Sequence, residues 1–330
     1  MITRRKLLLY GVAAPAVPWI AGVRRAHADT ETYPNRAVRL VIPFPPGAGA
    51  DFIGRTLGRK LSQDLGQSFV PENRDGANGS IGAAFVAKSA ADGYTLLLGT
   101  SATMAVNPHL YPSLPYRVRQ DFVAVSLVAS TPNVLYVNKD LPVNSVADLI
   151  GYARKNPGKL NFGSPGNGSV GDLSGEMFKL MAKVDMTHVP FRGSAPAMTA
   201  MMAGQIQLMF DSPVVGMPHV KAGQIKVLAC SASKPSPMLP GLPTMSQTPG
   251  LEDFVAILWY GVFVPRGTPD AVVQTLSRAV QHAMASQDVK QDLLKQGMEP
   301  GGDSPGDFEK YWGADYEHWG NVIKSANIKM

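Results

Sequence analysis

Of 330 residues only one, Cys230, is a cysteine, so no intramolecular disulfide can form. It follows the apolar run Ile225–Ala229, the setting of a buried structural thiol rather than a reactive one. Two signatures of common enzyme classes are also missing. No G-x-x-x-x-G-K-[ST] loop occurs, which removes support for nucleoside triphosphate use. No G-x-S-x-G elbow occurs either, because Ser80, Ser101 and Ser169 each lack one flanking glycine. The histidines beyond residue 28 (His109, His188, His219, His282 and His318) stand apart in sequence from each other and from Cys or acidic residues at metal-ligand spacing. They are read as structural or exposed groups, and neither a metal nor a cofactor is expected. Low-complexity tracts are absent, and 33 Gly and 27 Pro spread along the chain mark a turn-rich globular protein.

The formal net charge of +6 is misleading about partners. Residues 1–28 hold five Lys/Arg and no Asp or Glu, so without them 26 basic residues face 25 acidic ones. No basic surface for nucleic acid survives that removal. Those 28 residues read as an export address: Arg4, Arg5 and Lys6, an apolar stretch Leu7–Val23, then Ala26-His27-Ala28 as a small-x-small cleavage signal. A membrane anchor would need about 20 strongly apolar residues, and this stretch is shorter and broken by Gly11, Pro15 and Pro18. Thr3-Arg4-Arg5-Lys6-Leu7-Leu8 resembles a twin-arginine signal. Cleavage after Ala28 and a periplasmic destination are expected.

Beyond the address the chain alternates strand and helix, and its length suits two lobes. Val38–Phe44 is a compact apolar run ending in Pro-Pro-Gly, and Ile53, Leu57, Leu61 and Leu65 then recur at helical spacing up to Gly66. Ser68–Pro71, Ser80–Lys88 and Tyr94–Gly99 continue the alternation, which implies parallel strands. Val123–Val137 is apolar except at Thr131-Pro132-Asn133 and is a candidate crossing between lobes. Helix Ser145–Lys155, strand Leu160–Gly163, helix Ser169–Lys183, strand Thr187–Phe191, helix Ala195–Ala203 and strands Ile206–Phe210 and Ile225–Cys230 build the second lobe. Phe254–Val264 carries the chain back, and Val272, Leu276, Val280 and Ala283 form the inner stripe of an outer helix. The expected boundaries are 29–132 plus 258–330 for the first lobe and 133–257 for the second.

One pattern occurs in both lobes: a strand, then Pro46-Gly47-Ala48-Gly49 or Pro165-Gly166-Asn167-Gly168, then a helix. Glycines let the backbone turn sharply near a ligand, and the first helix amides are free donors at the positive end of the dipole. Two such loops at strand carboxyl ends, facing across a hinge, can grip a carboxylate without Lys or Arg; each alone is an ordinary connection. Gly166-Asn-Gly168-Ser-Val-Gly171 also matches G-x-G-x-x-G, but the next strand ends His188-Val189-Pro190 instead of in the acid that would hold a ribose. No nucleophile, base and oxyanion hole are brought together by the sequence.

Several long stretches stand together along the chain: Val41-Ile-Pro-Phe-Pro-Pro-Gly-Ala-Gly-Ala-Asp51, Asn73-Arg-Asp-Gly-Ala-Asn-Gly-Ser-Ile-Gly82, Asp92-Gly-Tyr-Thr-Leu-Leu-Leu-Gly-Thr100, Asn156-Pro-Gly-Lys-Leu-Asn-Phe-Gly-Ser164, Gly166-Asn-Gly-Ser169, Val189-Pro-Phe-Arg-Gly-Ser-Ala-Pro196 and Leu208-Met-Phe-Asp211. In that order they resemble the Bug-type periplasmic receptors of the tripartite tricarboxylate transporter family. The resemblance implies an α/β, two-lobed periplasmic-binding-protein fold (type II-like), each lobe a mixed sheet flanked by helices, joined by two hinge crossings. It implies a non-enzymatic receptor for a small organic acid, working with a membrane permease of the tripartite tricarboxylate type or a sensor kinase; the rival is a periplasmic enzyme acting on a carboxylic acid. The ligand-holding positions it implies are Phe44, Gly49, Ala50, Asp51 and Ser101 in the first lobe and Ser164, Asn167, Gly168, Ser169 and Asp211 in the second. Asp211, before Ser212-Pro213, also reads as the start of a helix. Pro165 and Gly171-Asp172 depart from the family's usual residues. Asp172 has two readings: a capping partner of Ser169, or a charge facing the cleft that rejects a second ligand carboxylate. Phe52, Phe191 and Trp259 are each open to a cleft or a core role.

Overall fold

A computed structural model describes residues 33–47 and 49–328; the expected export address and its cleavage point lie outside the described residues. The chain builds β1 (Val38–Ile42), α1 (Gly49–Leu65), β2 (Phe69–Asn73), α2 (Ser80–Ala87) and β3 (Thr95–Thr100), then a π-helical turn at Ala102–Val106. Two single-turn helices, α3 (Asn107–Leu110) and α4 (Val118–Asp121), lead to the long β4 (Phe122–Pro132). Next come β5 (Val134–Asn138), α5 (Val146–Lys155), β6 (Leu160–Ser164), α6 (Val170–Ala182) and β7 (Met186–Pro190). They are followed by α7 (Ser194–Met202), β8 (Leu208–Asp211), α8 (Pro213–Lys221) and β9 (Ile225–Cys230). The return strand β10 (Ile257–Pro265) precedes α9 (Asp270–Ala285), α10 (Gln287–Lys295), β11 (Glu299–Pro300) and α11 (Pro305–Ser325).

These strands form two sheets, in the order β11-β4-β10-β3-β1-β2 and β7-β6-β8-β5-β9. In the first, β2, β1 and β3 are parallel, as the strand–helix alternation requires, whereas β10 runs antiparallel to both β3 and β4. In the second, β6 is parallel to β7 and β8, and β5 is antiparallel to β8 and β9. Both sheets are therefore mixed, and helices cover their faces. Only Asn133 separates β4 from β5, so the chain leaves the first sheet and enters the second almost without a break. Its amide donates to Ala256 O (3.3 Å), just before the return strand, and its carbonyl accepts from Ser231 Oγ (3.0 Å). Outgoing and returning crossings are thus stitched together, with their polar groups satisfied where no sheet ladder covers them.

Helix α1 turns Ile53, Leu57 and Leu61 inward and stops at Gly66, whose φ of 67° lies in the left-handed region. Helix α9 buries Val273, Leu276, Val280 and Ala283; Val272, expected in that stripe, is only half-buried and the stripe begins one residue later. Trp259, Phe263, Phe308 and Trp312 stack edge to face and bind α11 to β10. This assigns Trp259 to the core, where its indole N–H donates to Asp315 (2.7 Å). Met198 and Met201 are buried in the second lobe and Met202 partly so, and Cys230 is free and fully buried. Among the described residues no helix is long and apolar enough to cross a membrane.

Candidate functional site

The carboxyl ends of β1, β3, β6 and β8 carry the expected ligand positions, and the segment after each strand decides what it can offer. After β1, the loop Pro43–Gly47 turns with Gly47 at φ 84° and α1 begins at Gly49, which is exposed, while Ala50 is buried. The opening amides of α1 have no helical acceptor and carry the positive dipole end. Phe44 is half-buried, and its carbonyl accepts from Asn73 Nδ2 (3.0 Å). Asp51 accepts from the Gly47 amide, from Arg55 Nε and from Asn73 Nδ2, each at 3.0 Å. Hydrogen bonding from Arg55, helped by Gly47 and Asn73, holds its carboxyl down at about 2. Asp51 therefore shapes the first loop, with both of its oxygens hydrogen-bonded within the lobe.

At the end of β3, Ser101 is wholly buried and its hydroxyl has no partner among the described residues. The next turn, the π-helical one, is braced by Thr103, whose Oγ1 accepts from the Thr100 amide (2.9 Å). Thr100 lies opposite Tyr260 of β10, and the Tyr260 hydroxyl comes so near Gly49 that a Cβ there would sit 3.2 Å from it. Tyr260, which sequence reasoning missed, joins β3 and the first loop at the base of the site.

In the second lobe, β6 ends at Ser164, wholly buried, and the loop Pro165–Ser169 leads into α6. Gly168 is buried and Asn167 exposed at the loop tip. Ser169 caps α6, accepting from the Asp172 amide (3.2 Å), while the Asp172 carboxylate reaches back to the Gly168 amide (2.9 Å). The other oxygen of Asp172 lies 3.2 Å from His188 Nδ1, and His188 Nε2 lies 2.7 Å from Ser164 Oγ. Asp172 thus faces His188 Nδ1 at ion-pair distance, and His188 Nε2 shares a hydrogen bond with the Ser164 hydroxyl whose direction follows the histidine tautomer. Burial pushes the Asp172 carboxyl up against the opposing pull of His188, and burial likewise pushes His188 down. Both Asp172 oxygens are engaged, so the capping reading stands, extended by a histidine that looked isolated in sequence. The signal that could have revealed it was strand pairing: Phe162 lies opposite His188, which puts His188 on the Ser164 face of the sheet.

Ser164, His188 and Asp172 are connected like a hydrolase triad, but their surroundings oppose that use. Ser164 shares the β6 face of Phe162, whose ring stacks on His188 (centroids 4.8 Å apart) and packs on Gly175 of α6. Its hydroxyl is wholly buried and also accepts from the Gly166 amide (3.2 Å). The chain Ser164–His188–Asp172–Gly168 closes the loop on itself and holds the amides at its mouth in place. At the end of β8, Asp211 Oδ1 accepts from the Ser212 amide (2.7 Å), while Oδ2 is buried without a partner among the described residues. Burial raises the Asp211 carboxyl to about 6. Phe52 and Phe191 are half-buried. Among the described residues, no group of three or more His, Cys, Asp or Glu could hold a metal ion.

Residues 53–328 match the model of the tripartite tricarboxylate transporter family receptor, TctC. The chain belongs to this receptor family. It is 40% identical to the solved Rpa4515 of R. palustris, described with adipate, over 90% of this chain and all of that one, with a TM-score of 0.80. MatC from Rhodopseudomonas palustris, described with bound malate, is 32% identical, covering 88% of this chain and all of that one, at a TM-score of 0.74. The periplasmic binding protein BugD is 30% identical, covering 90% of this chain and all of its own, at a TM-score of 0.76. The two helix-flanked mixed sheets of this chain are thus an architecture it shares with a solved periplasmic binding protein.

Proposed function

We propose that this receptor captures a small organic carboxylate in the periplasm, between its two glycine loops, and presents it to a membrane permease. The observation that carries the reading is the pair of buried, unpartnered polar atoms, Ser101 Oγ and Asp211 Oδ2, at strand carboxyl ends expected to hold ligand. Buried polar groups are nearly always hydrogen-bonded, so two orphans at one predicted site are best satisfied by a ligand or its water. The helix amides above them supply positive potential without a cation. Rpa4515 and MatC, related over nearly their whole length, are described with adipate and malate, which supports a dicarboxylate of similar size. The lobes on this reading comprise residues 29–132 with 258–330, and 133–257, closing about the paired crossings.

A thermal-shift screen of mono- and dicarboxylates, aromatic acids included, tests the proposal. A ligand that binds only the folded state adds about 2.7 kcal/mol of stability at roughly 100 times its Kd, a shift well above detection. Shifts given only by sugars or cations would overturn it. Mass measurement of protein from the periplasm, expected to begin at Asp29, tests the export step.

A further inference from the structure

Asp211 stands out among the carboxyl groups of the site because it has no cation. Asp51 has Arg55 and Asp172 has His188, whereas the groups around Asp211 are neutral donors and phenols. Ser212 follows it, Ser194 opens α7, Tyr136 lies on β5 beside it in the sheet, and Tyr260 approaches from β10 in the other sheet. Burial pushes both phenols up and the Asp211 charge adds to it, so neither tyrosine supplies positive charge. Oδ1 is used by the Ser212 amide, and Oδ2 is left buried and unpaired. An ionised carboxylate in this position repels an incoming carboxylate and keeps a buried acceptor site empty, which is unfavourable. Either deficit is met by one hydrogen atom placed on Oδ2.

We propose that Asp211 makes a hydrogen-bond donor the condition of capture: a hydroxyl or amino group on the acid meets Oδ2 directly, and an acid lacking one is held only with a proton taken from solvent. This rests on the carboxylate-receptor reading and adds a selection rule to it. The raised value of about 6 makes that proton accessible near neutrality, and a bound anion raises it further.

Calorimetry on the full receptor tests the rule with matched acids of four and six carbons: succinate, malate and aspartate, and adipate with its 2-hydroxy and 2-amino forms. Titrations at about pH 7.5 in two buffers of different ionisation heat count protons. The unsubstituted acids are expected to take up close to one proton per site, and the hydroxy and amino acids close to none. Affinity for succinate or adipate should fall about tenfold from roughly pH 7 to pH 8, with less than about a twofold change for the donor-bearing acids. Asp211→Asn keeps an oxygen for Ser212 and offers its own N–H, so proton uptake with the unsubstituted acids should vanish. Equal uptake across all six acids, or uptake that persists in Asp211→Asn, overturns the proposal alone. Failure of every acid to bind overturns the carboxylate reading and the proposal with it.

Discussion

The two glycine loops use one device twice. In each, an aspartate in the first turn of the following helix reaches back four residues to a loop amide, Asp51 to Gly47 and Asp172 to Gly168. The counter-charges differ. Asp51 is balanced by Arg55, a cation with a half-exposed side chain that never titrates in the working range, and its carboxyl is held low. Asp172 is balanced by His188, mostly buried and titratable, and its carboxyl is pushed up. One loop is set by an ion pair whose arginine is half-exposed, the other by buried contacts that run from Gly168 through Asp172 and His188 to Ser164. The partner, not the capping geometry, separates them, since both aspartates are buried and only the counter-group differs.

The largest expected consequence concerns removal of each aspartate. Asp172→Ala leaves the Gly168 amide and His188 Nδ1 buried without an acceptor and should cost about 3 kcal/mol. Asp51→Ala exposes Gly47 and Arg55 to water and should cost about 1 kcal/mol, the loss of a cap. Urea unfolding of the two variants checks this, and equal losses would break the contrast.

The pH response of the loops can be isolated only after two other carboxyls are accounted for. Burial raises Asp211 to about 6 and Asp315 to about 7, so the folded chain binds protons that the unfolded chain, at about 4, has released. Stability from these groups is fully present below about pH 4 and is lost as pH rises through 6 and 7. Without ligand, the melting temperature should fall between about pH 5 and pH 8. Asp315→Asn, which keeps an acceptor for Trp259, should flatten most of that fall; an unaltered slope would remove Asp315 from the account. Asp51 acts with the opposite sign: its stabilisation is present above about pH 4 and lost as pH drops toward 2.

A smaller effect is expected from Asp172→Asn. Its oxygen must stay on the Gly168 amide, so its N–H₂ faces His188 Nδ1 and requires that nitrogen to accept. Nε2–H then donates to Ser164 Oγ, and the Ser164 proton turns to Gly166 O, 3.1 Å away. Nitrogen NMR of His188 should show the proton on Nε2, with relative affinities for mono-, di- and tricarboxylates unchanged. Broadened binding toward highly charged acids would restore a cleft-facing role for Asp172. The smallest effect is that of Arg55→Ala, a slight loss of stability reduced further by salt, because the guanidinium is exposed.

The sequence by itself determined most of the order of strands and helices, though not α8, together with the crossing near Asn133 and the two glycine loops. These come from local signals: apolar periodicity, glycine where φ is positive, and Ser-x-x-Asp at the start of α6. The family was legible through the resemblance of several long stretches. Even α9 departed from its expected stripe by only one position. What the tertiary structure alone decided is how the chemistry pairs. His188 is 16 residues from Asp172 and 24 from Ser164 in sequence, and only the parallel pairing of β6 with β7, under α6, brings the three into a chain. Tyr260 reaches Gly49 because the return strand inserts between β3 and β4, an antiparallel placement that strand–helix alternation does not encode. Desolvation pushes both Asp51 and Asp211 up, but at Asp51 the hydrogen bonds from Arg55, Gly47 and Asn73 outweigh it; which effect wins depends on what the whole fold packs around each carboxyl, and no short stretch of sequence carries that information.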